Sequence, residues 1–280
     1  MAVASVVIPA HDEAASIGRT LRALRTGLGG HELDIVVVCN GCSDDTAEVA
    51  RRADPRARVL EIAQPSKNEA VRVGNAATDV FPRVHLDADI ELEGSAVLAL
   101  LAPLDDAGVL ATAPLRSVPR AGCSRWVRWY YDVWEALPNV ESGLFGRGVV
   151  VLSREAQARV AAQAEMMNDD LGMSDAFSAA ERRVVTGAVA VVRPPRTVPD
   201  LVRRRIRVAT GNTQAARLGV RRPASRTRVR TLAGLAVTRP GLALRVPVFL
   251  GVYVAAALGA RRAVRAGDFQ TWQRDESSRT

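Results

Sequence analysis

Lysine is almost missing from this chain: Lys67 stands alone among 280 residues, against 37 Arg. Cysteine is scarce as well. Cys39, Cys42 and Cys123 make an odd count in a long chain, which argues against a disulfide framework. Aromatic residues make up 4% of the sequence, so any cluster of them stands out. Residues 1–10 lack a basic start followed by an apolar run, so no signal peptide is read and the cytoplasm is the expected compartment. The apolar stretch Val246–Ala260 has 15 residues and contains Pro247. That falls short of the roughly 20 apolar residues of a spanning helix. It reads as an interfacial helix or as an ordinary packed one. Acids are nearly absent from residues 201–280, where 17 Arg face only Asp268, Asp275 and Glu276, a net +14. The whole chain is +8, so the first 200 residues carry −6. Such a tail suits an anionic membrane surface, a diphosphate or nucleic acid; it is equally what codon bias toward Arg produces on a solvated face.

Against those shortages, 48% of the residues are hydrophobic, ample for a core. Short β-branched runs alternate with longer amphipathic stretches over the first ~190 residues. Val3–Ile8 reads as a buried strand ended by Pro9, and residues 13–25 as a helix with Ile17, Leu21 and Leu24 on one face. Strands are expected over Asp34–Cys39, Val59–Ile62, Arg83–Asp87, Val109–Ala113 and Val149–Leu152, with helices over 45–53, 68–78 and Gly94–Leu104. The alternation predicts a mostly parallel sheet with helices on both faces. Ligands of open α/β sheets bind beyond the carboxyl ends of the strands. Polar residues gather there: His11, Asp12 and Glu13 after the first strand, Asn40, Asp44 and Asp45 after the second, Asp87 and Asp89 after the Arg83–Asp87 strand.

Two Asp at i, i+2 beyond a strand, as in HLDAD, offer a hard divalent cation carboxylate oxygens and leave positions for phosphate and water. Glu13 and Asp44 can equally cap the helices that follow them. Gly41 permits a tight strand-to-helix turn. Asp169 and Asp170 are adjacent acids in an apolar setting, suited either to a helix N-terminus or to general-base work. Trp126, Trp129, Tyr130, Tyr131 and Trp134 place five of the 12 aromatics in nine residues, as a core stripe or as flat faces for a sugar or lipid. Gly143, Gly146 and Gly148 follow and give backbone access near a ligand. Cys39-x-x-Cys42 admits a thioredoxin-like redox alternative.

Taken together, these segments resemble glycosyltransferase family 2, inverting bacterial enzymes with the GT-A fold. VVIPAHDEAASI resembles the family's opening V-x-I-P-x-x-N-E, with Asp12 where Asn is common. CNGCSDDT resembles D-D-G-S-T-D-x-T, with Asn40 at a position often held by a base-binding Asp. KNEAVRVG resembles K-x-x-A-x-N-x-G, with Arg72 in the Asn place. HLDAD matches D-x-D, NDDL matches the acidic pair, and RRRIRVATGN resembles a basic Q/R-x-x-R-W motif without its Trp. The likeness spans roughly residues 3–212. It implies a GT-A catalytic domain over 1–220, with a mostly parallel central sheet flanked by helices, and a basic helical extension over 221–280.

The resemblance also implies roles. Pro9, Ala10, His11, Glu13, Asn40, Lys67, Arg72, Asp87, Ala88, Arg204 and Arg207 would bind a nucleotide-diphosphate sugar. Asp89, with Asp87, would hold Mn²⁺ or Mg²⁺. Asp170, with Asp169 beside it, would be the base. Trp134, Gly143, Phe145 and Gly146 would meet a saccharide or lipid-linked acceptor. Cell-envelope, exopolysaccharide or glycolipid synthesis would be the setting, with peripheral contact on the inner face of the membrane. Nucleic acid is not expected, because a carboxylate rim without a metal repels phosphates. A non-catalytic relative of the same fold is a further alternative.

Overall fold

The computed structural model describes residues 1–163, 169–217 and 229–266. The chain divides into two compact units. The first comprises Met1–Val118, Leu144–Glu165 and Ala176–Arg193; the second comprises Pro119–Gly143, Met166–Asp175 and Pro194–Thr280. The expected boundary near residue 220 lies outside the described residues.

The first unit is built on β1 (Ala4–Ala10), β2 (Leu33–Asn40), β3 (Arg58–Ile62), β4 (Arg83–Leu86), β5 (Glu91–Leu92), β6 (Ala111–Ser117), β7 (Val149–Leu152) and β8 (Arg182–Val191). They form one sheet in the order β3-β2-β1-β4-β7-β6-β8-β5. β1, β2, β3 and β4 run parallel, as do β6 and β8; β7 is antiparallel to both its neighbours and β5 is antiparallel to β8. The mixed, mostly parallel sheet is the one expected. β1 and β2 are apolar almost throughout because helices cover both faces. On one face Ile17, Leu21 and Leu24 of α1 (Ile17–Arg25) and Val97 and Leu100 of α4 (Gly94–Leu101) join Val6, Ile8, Ile35 and Val37 in the core. On the other, Ala70 of α3 (Lys67–Ala76) packs on Val36 and Val38. α2 (Thr46–Ala53) lies between β2 and β3 in sequence. Ser66 caps α3 by accepting the Glu69 N–H at 3.3 Å.

Two expectations are corrected. Pro9 does not end the first strand: it lies within β1, in register with Val38. β4 has left β1 after Val7, so the proline falls where the ladder is one-sided. The first helix begins at Ile17, not at residue 13. Residues 13–16 form a turn in which the Glu13 carbonyl accepts the N–H groups of Ser16 and Ile17, at 3.0 and 2.9 Å.

The second unit is helical: α5 (Arg125–Glu135), α6 (Pro138–Ser142), α8 (Asp169–Asp175), α9 (Val198–Arg217), α10 (Val229–Thr238), α11 (Pro240–Ala243) and α12 (Val246–Arg265); α7 (Arg154–Ala161) belongs to the first. The aromatic stripe of α5 divides. Tyr130 and Tyr131 are buried, and the Phe249 ring stacks on Tyr130 with centroids 5.1 Å apart. Burial pushes the Tyr130 phenol up to about 12, so it stays neutral. Trp126 is exposed and meets Trp129 edge-on.

α12 is longer than the apolar stretch and admits Pro247 in its first turn, where a proline removes no helical hydrogen bond. Phe249, Val252, Ala256 and Ala260 are buried, whereas Leu250, Tyr253, Val254 and Leu258 are exposed. Gly259 lies against Ile206 of α9; a β-carbon there would come within 2.5 Å of it. By length and composition the segment Pro240–Arg265 is long and apolar enough to cross a membrane, and little of it is buried.

Candidate functional site

β2, β1 and β4 are neighbours, so the loops after them share one edge of the sheet. The first loop is conformationally unusual. Asp12 has φ 47°, the left-handed region that Asn and Asp tolerate best. Its carboxylate accepts the Ser43 N–H at 2.5 Å and the Ser43 hydroxyl at 3.2 Å, which locks the first loop to the second. The Asn40 side-chain amide, buried, donates to the Ala10 carbonyl at 2.8 Å. His11 Nδ1 donates to the Asn40 carbonyl at 2.6 Å. Gly41 adopts φ 56° with its α-carbon pressed against Pro65, where a β-carbon would lie 2.8 Å away.

Asp44 accepts the N–H groups of Thr46 at 3.0 Å and Ala14 at 3.1 Å, together with the Thr46 hydroxyl. It stitches the two loops together, the capping use. Glu13 is buried; its carboxylate accepts the Ser16 hydroxyl at 2.6 Å, and its N–H donates to Thr46 Oγ1 at 2.7 Å. In this arrangement Glu13 braces the start of α1.

Beyond β4, Asp87, Ala88, Asp89 and Ile90 form a tight turn, closed by the Ile90 N–H on the Asp87 carbonyl at 3.2 Å. Both aspartates are half-buried. Three contacts hold the turn. The Asp87 N–H donates to the Gly148 carbonyl at 2.9 Å. The Thr20 hydroxyl donates to the Ala88 carbonyl at 2.9 Å. Lys67 at the start of α3 places its ammonium 2.7 Å from Asp87 Oδ1. Gly148 has φ 65°, and a β-carbon on it would meet Ile90 at 2.4 Å and Asp87 Oδ2 at 3.3 Å. Two carboxylates fixed in one turn, with oxygen donors only, fit a hard divalent cation whose other ligands are phosphate oxygens and water.

The Gly-rich segment before β7 is tied down from below. Arg116 donates to the carbonyls of Phe145 and Gly146 at 3.5 and 3.4 Å, and the buried Arg147 donates to the Pro114 carbonyl at 2.8 Å. Arg72 is turned to the surface and pairs with Glu69 at 2.5 Å. Pro9, Ala10 and Asn40 at the ends of β1 and β2, His11, Glu13, Asp87, Ala88 and Asp89 in the loops beyond the strands, and Lys67 at the start of α3 all belong to the first unit, and the order of the strands brings those loops together. Trp134, Gly143, Asp169, Asp170, Arg204 and Arg207 belong to the second unit. Trp134 is half-buried and edge-on to Tyr131 at 5.6 Å. Asp169 and Asp170 open α8, and their side chains lie outside the described positions. Thr20 and Gly148 were invisible as supports of the Asp87–Asp89 turn, because each acts from a distant segment.

The redox alternative fits poorly. Cys39 is buried within β2, and burial, with Cys42 beside it, pushes its thiol up to about 12. A redox cysteine needs the opposite shift, since the thiolate is the nucleophile.

A sheet of this order, with an Asp-x-Asp turn after its fourth strand and the first two loops stitched beside it, defines a nucleotide-sugar transferase fold of the GT-A type. Residues 5–144 match the model of glycosyl transferase family 2, and the chain belongs to that family. No curated protein sequence matches it. Among solved structures it is similar to a mannosyltransferase from Pyrobaculum calidifontis in complex with GDP-Man and Mn²⁺, at 19% identity over 96% of this chain and 84% of that one, with TM-score 0.62. It is also similar to glucosyl-3-phosphoglycerate synthase from Mycobacterium tuberculosis. The complex with Mn²⁺, UDP-Glc and phosphoglyceric acid aligns at 20% identity over 79% and 82% of the two chains, TM-score 0.56. The complex of that synthase with Mn²⁺, UDP and glucosyl-3-phosphoglycerate aligns at 22% identity over the same shares, TM-score 0.57.

Proposed function

We propose that this protein is a metal-dependent, inverting glycosyltransferase that moves a sugar, of hexosyl type, from a nucleoside-diphosphate sugar to an acceptor hydroxyl. The observation that carries the reading is the Asp87–Asp89 turn, held by Gly148, Thr20 and Lys67 on the edge where β1, β2 and β4 end. Asp89 and Asp87 would hold Mn²⁺ or Mg²⁺, which offsets the charge that builds on the leaving diphosphate. The Asn40 amide donates to the Ala10 carbonyl, and Asn40 is assigned to the nucleobase by family likeness, an amide being able both to donate and to accept. Lys67 supplies a positive charge beside Asp87, and Arg204 and Arg207 are assigned to the diphosphate by family likeness. Asp170 takes the proton of the acceptor hydroxyl as that oxygen attacks the anomeric carbon from the face opposite the leaving group. Trp134, Gly143, Phe145 and Gly146 are assigned to the acceptor.

The setting is cytoplasmic synthesis of an envelope polysaccharide or glycolipid, by a catalytic domain over residues 1–220 and a basic extension over 221–280. Peripheral membrane contact is supported by α12. One of its faces is committed to α5 and α9, while Leu250, Tyr253, Val254 and Leu258 face outward and Arg261, Arg262 and Arg265 follow. An apolar face beside basic residues is what an interfacial helix uses on anionic lipid. The test is a panel of UDP and GDP sugars scored for release of nucleoside diphosphate. Turnover should stop with a chelator and return with Mn²⁺ or Mg²⁺. Full turnover in excess chelator would overturn the assignment of the Asp87–Asp89 turn.

A further inference from the structure

We propose that His11, Asp12 and Cys42 form a second cation site, for a thiophilic divalent metal such as Zn²⁺, which uses neither carboxylate of the Asp87–Asp89 turn. One donor atom from each of the three lies within 4.8 Å of the others. Around a tetrahedral Zn²⁺, with bonds of about 2.0–2.3 Å, ligand atoms stand roughly 3.3–3.8 Å apart. Binding would draw the three donor atoms together by side-chain rotation, and all three residues are half-buried, within reach of solvent ions.

The donor set decides which metal. Thiolate and imidazole favour Zn²⁺ and its neighbours, whereas Mg²⁺ and Mn²⁺ favour oxygen. The two sites therefore sort cations by chemistry. The residues are also oriented in advance. His11 gives its Nδ1–H to the Asn40 carbonyl, which sets the tautomer with the ring lone pair on Nε2; metal-ligating histidines are held in just this way by a backbone carbonyl. Asp12 is fixed by its left-handed backbone and by the Ser43 N–H. The Asp12 N–H points at Cys42 Sγ from 3.4 Å, and the Cys42 thiol in turn donates to the Ala10 carbonyl at 3.5 Å, which sets where the sulfur lies. On binding, the Cys42 sulfur forms the metal bond and its proton passes to solvent; water completes the fourth position.

One consequence rests on the proposed function. His11 and Asn40 are assigned there to the nucleotide, so a cation drawing His11 and Cys42 together competes with it. Zn²⁺ would then act as an inhibitor distinct from the Mn²⁺ or Mg²⁺ of the reaction.

Titration of the full chain with Co²⁺ tests the site by the near-ultraviolet charge-transfer absorbance of a thiolate–cobalt bond. One equivalent should develop the band, and Zn²⁺ should bleach it. Cys42→Ser and Cys42→Ala should abolish it, Cys39→Ser and Cys123→Ser should retain it, and His11→Ala should weaken Co²⁺ binding at least ~10-fold. Melting curves establish that each variant is folded. No band in the wild type, or a band unchanged in the folded Cys42 variants, overturns the proposal. Because this readout needs no sugar transfer, its failure is distinct from failure of the glycosyltransferase reading. UDP or GDP, whichever binds by calorimetry, should release the Co²⁺; a band that persists at saturating nucleotide overturns the competition.

Discussion

Replacing Gly148 with Ala tests whether the Asp87–Asp89 turn is held by backbone as described. Gly148 sits at φ 65°, so Ala pays roughly 1–2 kcal/mol for the left-handed conformation alone. The new β-carbon would also lie 2.4 Å from Ile90 Cγ1 and 2.8 Å from its Cδ1, an overpacking worth ~1–3 kcal/mol. Together the loss is about 2–5 kcal/mol, and Tm should fall by roughly 4–20 °C at ~2–4 °C per kcal/mol. Gly108 is the control. Its φ is 85°, and nothing lies within 4 Å of a β-carbon there, so Gly108→Ala should cost only the conformational share, about 1–2 kcal/mol. The functional signature should separate the two further. Relief of the Gly148 clash pushes Ile90, and with it the Asp87 carboxylate, from the cation position; misplacement by about 1 Å can cost ~10²-fold in rate. Metal-dependent nucleotide release should collapse in Gly148→Ala and persist in Gly108→Ala. Equal melting shifts and equal activities would refute the role given to Gly148.

Asp89→Ala should weaken Mn²⁺-dependent nucleotide binding and abolish turnover; binding indifferent to the substitution would remove Asp89 from the cation site. Asp170→Asn should lower kcat ~10²–10⁴-fold and leave donor affinity nearly unchanged; if Asp169→Asn is the dead variant instead, the base is the neighbouring residue. The Ser178 backbone N–H, aided by Arg159, holds the Glu181 carboxyl down at about 2. A depressed carboxylate gives stability that is complete above its ordinary value near 4.5 and lost as pH falls toward 2. Screened as an exposed pair, it is worth about 1 kcal/mol. Glu181→Gln should be less stable than the parent at pH 6 and equal to it near pH 2; a gap that is constant with pH refutes the pairing. Leu258→Glu on the exposed face of α12 should reduce binding to anionic liposomes, and high salt should reduce it in the parent; a parent that ignores such liposomes at low salt makes α12 a packing element.

The strands nearest the rim were legible because each is a short, nearly continuous apolar run, the pattern of a strand covered on both faces. β8 was not. It is largely uncovered, and its register against β6 jumps between Pro114 and Leu115, passing over Thr186–Ala188. The bulge breaks the alternation that would mark a strand. β5 has two residues and exists only because Glu91 and Leu92 find β8. Pro9 misled for a related reason: whether a proline ends a strand depends on which neighbour remains beside it, and that is a property of the sheet, not of the segment. Asp12, which stands where Asn is common in the family, has φ 47°, a conformation that both residue types tolerate and that the sequence alone does not reveal.

What separates a structural aspartate from a chemical one here is the kind of partner it holds. Asp44 and Asp87 both follow strands of the parallel half of the sheet, and sequence alone treats them alike. Asp44 is engaged by the N–H groups of Thr46 and Ala14, donors fixed by the backbone of the two loops they join. Both its oxygens hold backbone N–H groups, Oδ1 that of Thr46 and Oδ2 that of Ala14, so to bind anything else it would have to unpick the loops, whereas in Asp12 the backbone N–H of Ser43 is on Oδ1 and Oδ2 accepts a side-chain hydroxyl. Asp87 is engaged by the ammonium of Lys67, carried on a long flexible stem. On the proposed reading a point charge of that kind could move to the diphosphate while a divalent cation took its place on the carboxylate, with no backbone rearrangement. On the proposed reading the chain's one lysine stands where a positive charge would be exchanged, a task that a point charge on a flexible stem suits better than a planar guanidinium fork made for fixed pairs.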